Sequence, residues 1–245
     1  EIWGYTTKGI AKSNEEMNAH LSTTDQSTIG SNWAAGDIMY EDTNNDKQIN
    51  DGARTITDHG DLKVIGNSTP RFLWGIDLNA SWKGFDIRAF FQGVMKRDAW
   101  LGGSWGSLEY YFGATNSGEW WATGITAVKD YYRDANTWSV ANGYQKANQD
   151  AFLPRATFSN KNERCQTRYL MNAAYMRLKN FQAGYTIPRN ITTKWGISNM
   201  RVFVSIENLF TITKMPKQFD PEIIGTDSRH SNGYPLSKTF SFGIN

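Results

Sequence analysis

Long hydrophobic runs are missing from this chain. Across 245 residues the apolar share is 39% and the mean hydropathy is −0.57. No stretch approaches the roughly 20 consecutive apolar residues that a membrane-spanning helix needs. That excludes a helical membrane protein but not a β-barrel, whose apolar residues recur at every second position. Cysteine is almost absent: Cys165 stands alone, so neither a disulfide framework nor a thiolate metal cluster is available. Histidine is scarce, and His20, His59 and His230 lie far apart without metal-ligand spacing. Each reads as a solvated loop residue. Charge of one sign is lacking as well, with Lys+Arg at 26 against Asp+Glu at 24 and a net charge of +2. Without a basic run or an arginine-rich helix, nucleic acid is not an expected partner. There is no nucleophile elbow and no phosphate-cradling glycine loop. Acid pairs such as Glu15–Glu16 and Asp220–Glu222 are too common a feature to define a glycosidase. No catalytic residue is assigned, and the protein is not expected to be an enzyme. The chain opens at Glu1 with no initiator Met and no signal peptide, as a piece of a longer protein would.

What is present is alternation. Phe72, Trp74, Ile76, Leu78, Ala80 and Trp82 share one face of an eleven-residue run, and Leu73, Gly75, Asp77, Asn79 and Ser81 share the other. A strict period of two over this length is a strand with one apolar and one mostly polar side. Lys83-Gly84 then separates it from a second run, with Phe85, Ile87, Ala89, Phe91 and Gly93 set against Asp86, Arg88, Phe90 and Gln92. Such a two-residue connection closes a β-hairpin. Residues 175–187 continue with Phe181, Ala183, Tyr185 and Ile187 on one face, although Arg177 and Lys179 fall on the apolar phase. Residues 200–212 set Met200, Val202, Val204, Ile206, Phe210 and Ile212 opposite Arg201, Ser205, Glu207 and Thr211. Lys238 to Asn245 sets Phe240, Phe242 and Ile244 against Thr239, Ser241 and Gly243. Five strands are expected, of the length and pattern of tilted strands crossing a bilayer. The half-buried strands of a soluble sandwich share the same alternation.

The connections alternate between short, such as Lys83-Gly84, and long, at 97–173 and 213–237. Compact soluble domains seldom carry a long connection of low regularity. Outer-membrane barrels combine short periplasmic turns with long external loops. The segmentation is therefore an extracellular loop region over 1–70, a hairpin over 71–96, a long extracellular loop over 97–173, two strands over 174–212, an extracellular loop over 213–237 and a final strand over 238–245. Within 1–70, Ser13-Asn14-Glu15-Glu16 is a capping box that opens a short helix running through Leu21.

Several ordered blocks resemble the C-terminal part of the SusC/RagA family of TonB-dependent outer-membrane transporters. They are Gly36-Asp37-Ile38-Met39-Tyr40-Glu41-Asp42-Thr43-Asn44-Asn45-Asp46, Ile65-Gly66-Asn67-Ser68-Thr69-Pro70-Arg71-Phe72, Trp82-Lys83-Gly84-Phe85-Asp86 and Phe90-Phe91-Gln92-Gly93-Val94, then Tyr175-Met176-Arg177-Leu178-Lys179-Asn180, Glu207-Asn208-Leu209-Phe210-Thr211, Phe219-Asp220-Pro221-Glu222 and Phe240-Ser241-Phe242-Gly243. The resemblance implies an all-β fold: the last five antiparallel strands of a large, 22-stranded transmembrane β-barrel with a plugged lumen. It also implies TonB-dependent import of oligosaccharides or peptides across the bacterial outer membrane. The implied partners are a SusD-like surface lipoprotein, the TonB complex (through a missing N-terminal part) and membrane lipid, and no cofactor is required. The family usually ends in an aromatic residue, whereas this chain stops at Asn245. The rival is a soluble β-sandwich carbohydrate-binding module or a glycoside hydrolase fragment; a barrel serving only adhesion is a third.

Two loop features carry candidate chemistry. Asp42, Asn44, Asp46, the Gln48 carbonyl and Asn50 are spaced like the first positions of an EF-hand calcium loop. Position six is Lys47 instead of Gly and position twelve is Ala53, with Asp51 a substitute acid. The loop is either a structural calcium site or an Asx-rich turn satisfying its own backbone. In the long loop, Trp100, Trp105, Tyr110, Tyr111, Trp120 and Trp121, with Phe112, Tyr131, Tyr132 and Trp138, form an aromatic group. It serves substrate contact, partner contact or packing of the loop upon itself.

Overall fold

The alternating runs fold into strands of matching length. The computed structural model of the protein describes residues 1–100, 129–157, 159–217, 219–224 and 235–245. Two compact units emerge, one from the described residues of Glu1–Asn67 and Trp100–Leu170, the other from Ser68–Ala99, Met171–Ile224 and the described residues of Gly233–Asn245.

The first unit holds short elements: β1 (Ile2–Gly4), β2 (Thr7–Ile10), α1 (Asn14–Leu21), β3 (Ile38–Tyr40), β4 (Lys63–Gly66) and α2 (Trp138–Ala141). β1 pairs antiparallel with β4, and β2 with β3. Strands of three or four residues are too short for a period of two to register, so the reading of 1–70 as a loop region with one short helix does not include them. Helix α1 is the expected one. The Ser13 hydroxyl accepts the Glu16 N–H at 3.2 Å, and the Glu16 carboxylate reaches back to the Lys12 N–H at 2.6 Å. Ala11, Met17 and Met39 form a buried cluster lined by Leu21 and Trp33, and Ala35, Tyr132 and Ala151 form a second against Ile10. Between these lies the fully buried Asp37, bonded by Arg155 at 2.8 Å, Lys161 at 2.8 Å and Asn162 at 3.0 Å. Burial alone would raise its pKa, but those three donors outweigh it and hold the carboxyl below its usual range.

The second unit is a sheet. Its strands are β5 (Arg71–Trp82), β6 (Phe85–Lys96), β9 (Tyr175–Thr186), β10 (Arg201–Glu207), β11 (Thr211–Thr213) and β12 (Thr239–Ile244), and β7 (Asp98–Ala99) pairs separately with β8 (Met171–Asn172). The order is β12-β10-β9-β6-β5, antiparallel throughout, with β11 also on β9. Trp82 pairs with Phe85, so Lys83-Gly84 is a two-residue turn, with φ of 47° and 88°. Positive φ at both positions matches the twist of a hairpin. A short helix, α3 (Arg189–Thr192), links β9 to β10.

The sheet has six strands among the described residues, not five, because 200–212 is divided. Asn208 takes a left-handed φ of 52°, and the ladder resumes only at Thr211. A second irregularity lies in β9. Where β6 passes from Phe90 to Phe91, its partner jumps from Asn180 to Leu178, which leaves Lys179 as an extra, bulged residue. Above the bulge the odd-numbered residues change sides, so Arg177 joins the polar face. Its apparent misplacement in the sequence is thereby explained.

Replacing Ser13 by Ala removes the cap on α1 and should weaken that helix by about 1 kcal/mol. Faster hydrogen exchange at the Glu16 and Met17 amides, with the β5–β6 amides unchanged, is the expected result.

Candidate functional site: the two faces of the sheet

Register sorts the side chains into transverse rows. Ala80, Ile87, Ala183, Val204 and Phe242 lie side by side across five strands, as do Leu78, Ala89, Phe181, Ile206 and Phe240. Among the described residues, nothing within this unit covers the middle of that face. Leu78 is 55% exposed, Ile87 48%, Phe240 58% and Phe242 84%, while Trp74 and Val204 are only part-buried. A Leu, Ile or Phe side chain gains about 1.5–3 kcal/mol on leaving water. A whole face of them in water is therefore strongly disfavoured. The unit's buried apolar side chains, including Val94, Ala99, Met171, Tyr175, Leu178, Met215 and Ile224, collect at the long-connection end instead.

The opposite rows are polar. Asn79, Arg88, Gln182, Ser205 and Ser241 form one, and Ser81, Asp86, Gly184, Phe203 and Gly243 the next. Arg88 bonds Asp77 at 2.6 Å, and Asn79 adds a bond to the same carboxylate at 3.2 Å. Arg201 lies over Gly184 and donates from Nε to Asp86 at 2.9 Å, spanning β9 to reach β6. A Cβ at Gly184 would collide with that guanidinium. The sequence placed Asp77, Asn79, Asp86, Arg88, Gln92 and Glu207 on this face, and they share it.

Arg177 anchors a buried cluster where the sheet meets the 213–224 segment. Its guanidinium donates to Asp220 at 2.7 Å, Glu222 at 2.7 Å and the Thr211 hydroxyl at 2.7 Å, and Lys179 adds a bond to Glu222 at 2.9 Å. Arg97 holds the same segment through the Pro221 carbonyl at 3.2 Å. Burial pushes Asp220 up, but the Glu222 N–H, the Arg177 guanidinium and the Leu236 N–H prevail and keep it below its usual range. Both carboxylates are committed to cations, which leaves neither as a free acid or base. Sequence reasoning passed over this cluster. Its signal was two out-of-phase cations together with a closely spaced acid pair.

The candidate calcium loop bonds to itself. Asp42 accepts the Asn45 and Lys47 N–H groups at 2.7 and 2.8 Å, and Asp46 accepts the Gln48 N–H at 2.7 Å and the Asn44 amide at 2.9 Å. The Asn50 side-chain Oδ1 accepts the Gly52 N–H at 2.9 Å, and Asp51 pairs with Arg54. The unforeseen residue is Asp61, fully buried, which accepts the Thr43 and Asn50 N–H groups at 2.7 and 2.9 Å and pins both ends of the loop. Among the described residues, no group of three or more His, Cys, Asp or Glu is arranged to hold a metal.

Of the aromatic group, Trp100 is part-buried, and Trp105, Tyr110, Tyr111, Phe112, Trp120 and Trp121 lie outside the described residues. Tyr132 is a core residue whose hydroxyl donates to the Lys12 carbonyl at 2.7 Å. Trp138 stacks on Tyr144 with ring centroids 5.4 Å apart, both largely exposed. His20 is not a solvated loop residue: it sits in α1, 7% exposed, with Nε2 3.0 Å from the Gln26 side-chain oxygen. Burial lowers its pKa. His59 lies against the Trp3 ring at 5.4 Å, and His230 is outside the described residues.

Because Asp220 is depressed in the folded protein, its stabilising effect is complete above the unfolded carboxylate value of about 3.9 and disappears as pH falls through the folded value. Replacing Asp220 by Asn removes one of the two carboxylates on a buried guanidinium that keeps Glu222, and should cost about 1.5–3 kcal/mol. Hydrogen exchange at the Glu222 and Leu236 amides should rise in the variant at pH 7, and in the parent only on acidification below about pH 4.

No family model matches the chain. TonB-dependent receptor P3 of Formosa agariphila is 31% identical over 198 residues, covering 76% of this chain and 17% of that protein. TonB-dependent receptor P26 of the same organism is 25% identical, covering 97% of this chain and 21% of its own length. The chain thus spans about a fifth of the relatives it matches. Among solved structures, the RagAB peptide transporter superposes with a TM-score of 0.60 at 23% identity over 99% of this chain and 22% of that one. The open-open state of the RagAB peptide importer gives 0.58 at 20% identity, over 100% and 22%. These proteins are receptors and transporters, not enzymes. In sequence the chain is similar to TonB-dependent receptors and in fold to the RagAB importer, consistent with a C-terminal fragment of a SusC/RagA-like transporter.

Proposed function

We propose that the sheet is part of the wall of a 22-stranded outer-membrane barrel through which a nutrient is imported at the expense of TonB-transmitted energy. The observation that carries this reading is the bare apolar face, set back to back with an ion-paired polar face. Acyl chains solvate the first and the water of the lumen solvates the second. The edges of β5 and β12 are then continued by further strands of the barrel. Oligosaccharides or peptides are the cargo class, and peptides have the support of the importer to which the fold is similar. A SusD-like lipoprotein covers the outer mouth, and the plug and TonB contact belong to other parts of the transporter. No cofactor takes part. A soluble sandwich would need a second layer over Leu78, Ile87 and Phe242, and none covers them among the described residues.

A cationic residue on the lipid face near mid-bilayer costs about 2–4 kcal/mol. In the whole transporter, Ile87→Arg and Val204→Arg should therefore abolish assembly in the outer membrane, while Gln92→Arg assembles normally. Equal heat-modifiable barrel yields for all three would overturn the assignment of faces. Cargo uptake should also cease on deletion of TonB, which a barrel serving only adhesion would not show.

For the 42–51 loop, the structural calcium reading and the self-satisfied turn divide on one measurement. A calcium site held by Asp42, Asn44, Asp46, Gln48, Asn50 and Asp51 requires that chelator lower the thermal midpoint and that Asp46→Ala abolish the difference. The hydrogen bonds within the loop support the other outcome, a midpoint indifferent to calcium.

A further inference from the structure

The short-turn end of the sheet carries a surface that the transport reading leaves unused. There the β5–β6 turn and the β9–β10 connection sit together, joined by the Thr186 N–H donating to the Gly84 carbonyl at 2.8 Å. The connection is longer than a barrel turn needs to be. It forms α3 and a further 3-10 turn over Thr193–Trp195 before returning at β10. A polar connection would be expected to turn polar side chains outward, yet Trp195 is 58% exposed, Ile191 41% and Ile197 38%, and Trp82 on the neighbouring turn is 69% exposed. Interleaved with them are the exposed cations Lys83, Arg189 and Lys194. The Lys83 ammonium lies 4.9 Å from the centroid of the Trp82 ring. From Ile187 to Met200 there is no Asp or Glu. The acid facing this end, Asp86, is on the opposite face and is bonded to Arg201.

We propose that Trp82, Lys83, Arg189, Ile191, Lys194 and Trp195 form an interfacial anchor that seats this end of the sheet on an anionic phospholipid surface. The inference rests on the lipid-facing reading of the sheet and extends it from acyl chains to headgroups. Three features commit the surface to this occupant. The patch continues the apolar row of Trp82, Phe85, Tyr185, Val202 and Ile244. Indole rings with one apolar and one polar edge favour headgroup depth. An acid-free cluster of cations attracts an anionic leaflet with about 1 kcal/mol per charge near the surface, an attraction that salt screens. A protein partner for so positive a surface would have to be acidic, whereas continuity with the apolar belt requires the membrane itself.

The test places one nitroxide at a time in the whole transporter, reconstituted into phosphatidylcholine bilayers with or without phosphatidylglycerol. One label replaces Ser198, beside the anchor but not part of it, and the other replaces Leu78 in the belt. Collision rates with oxygen and with a water-soluble nickel chelate report depth. Support for the anchor is a Leu78 label in hydrocarbon and a Ser198 label shielded from nickel at headgroup depth. That shielding should deepen with phosphatidylglycerol and be lost in the triple variant Lys83→Glu, Arg189→Glu, Lys194→Glu, with the Leu78 label unmoved. A Ser198 label open to nickel, with Leu78 still in hydrocarbon, overturns the anchor and leaves the belt standing. Shielding at Ser198 that ignores both lipid charge and the triple variant means protein covers the patch, which also overturns it. Nickel access at both labels removes the belt and the anchor together.

Discussion

Backbone hydrogen bonding inside the ladder is the constraint on which the remainder depends. From Trp82–Phe85 up to Arg71–Lys96, and on through β9, β10 and β12, the strands bond to one another whatever lies against their faces. The side chains are thereby released from any duty to build a core. The apolar rows can stay bare and the polar rows can stay wet, because no amide depends on either environment. The other unit works in the opposite way. Its strands are three or four residues long and could not persist alone, and it closes around Met17, Met39, Tyr40 and Tyr132 with Asp37 neutralised at the centre.

The two irregularities in the sheet are coupled. The bulge at Lys179 and the break at Asn208 stand opposite each other, with the Asn208 N–H bonded to the Lys179 carbonyl at 3.0 Å and the Leu209 N–H to the Leu178 carbonyl at 3.2 Å. One extra residue in β9 turns Arg177 inward. The interruption between β10 and β11 lets Thr211 come alongside Arg177 and accept its Nε–H. A guanidinium brought to the long-connection end of the polar face can then receive Asp220 and Glu222. A local defect in pleating is therefore what ties the 213–224 segment to the sheet.

How much of this was legible follows from which elements repeat. Long strands announce themselves through repeated alternation, as the residues of Arg71–Trp82, Phe85–Lys96 and Thr239–Ile244 do. The α1 helix was legible because its cap is a local motif. The β1–β4 strands were not, since nothing repeats within three residues. Bulges were illegible for the opposite reason: periodicity assumes one residue per step, and Lys179 breaks that assumption at a single point. The polar anchors Asp37 and Asp61 were illegible too. Their partners, Arg155 and Lys161 for one and Thr43 and Asn50 for the other, come together only through folding.

The composition of the polar face bears on how such a wall would treat its cargo. Asp77 with Arg88 and Asp86 with Arg201 are half-exposed pairs, and pairs of that kind add little to stability. Their consequence is electrostatic. Each carboxylate already faces a guanidinium within hydrogen-bond reach, so this strip presents alternating dipoles instead of a field of one sign. Gly184 makes the second pair possible by leaving room for the Arg201 side chain to lie flat across β9. The result is a surface of amides and hydroxyls on which these two carboxylates are paired, with Phe90, Phe203 and the exposed Glu207 among them. Hydrogen-bonding groups of both kinds are therefore presented along these two rows, with neither pair leaving a bare charge.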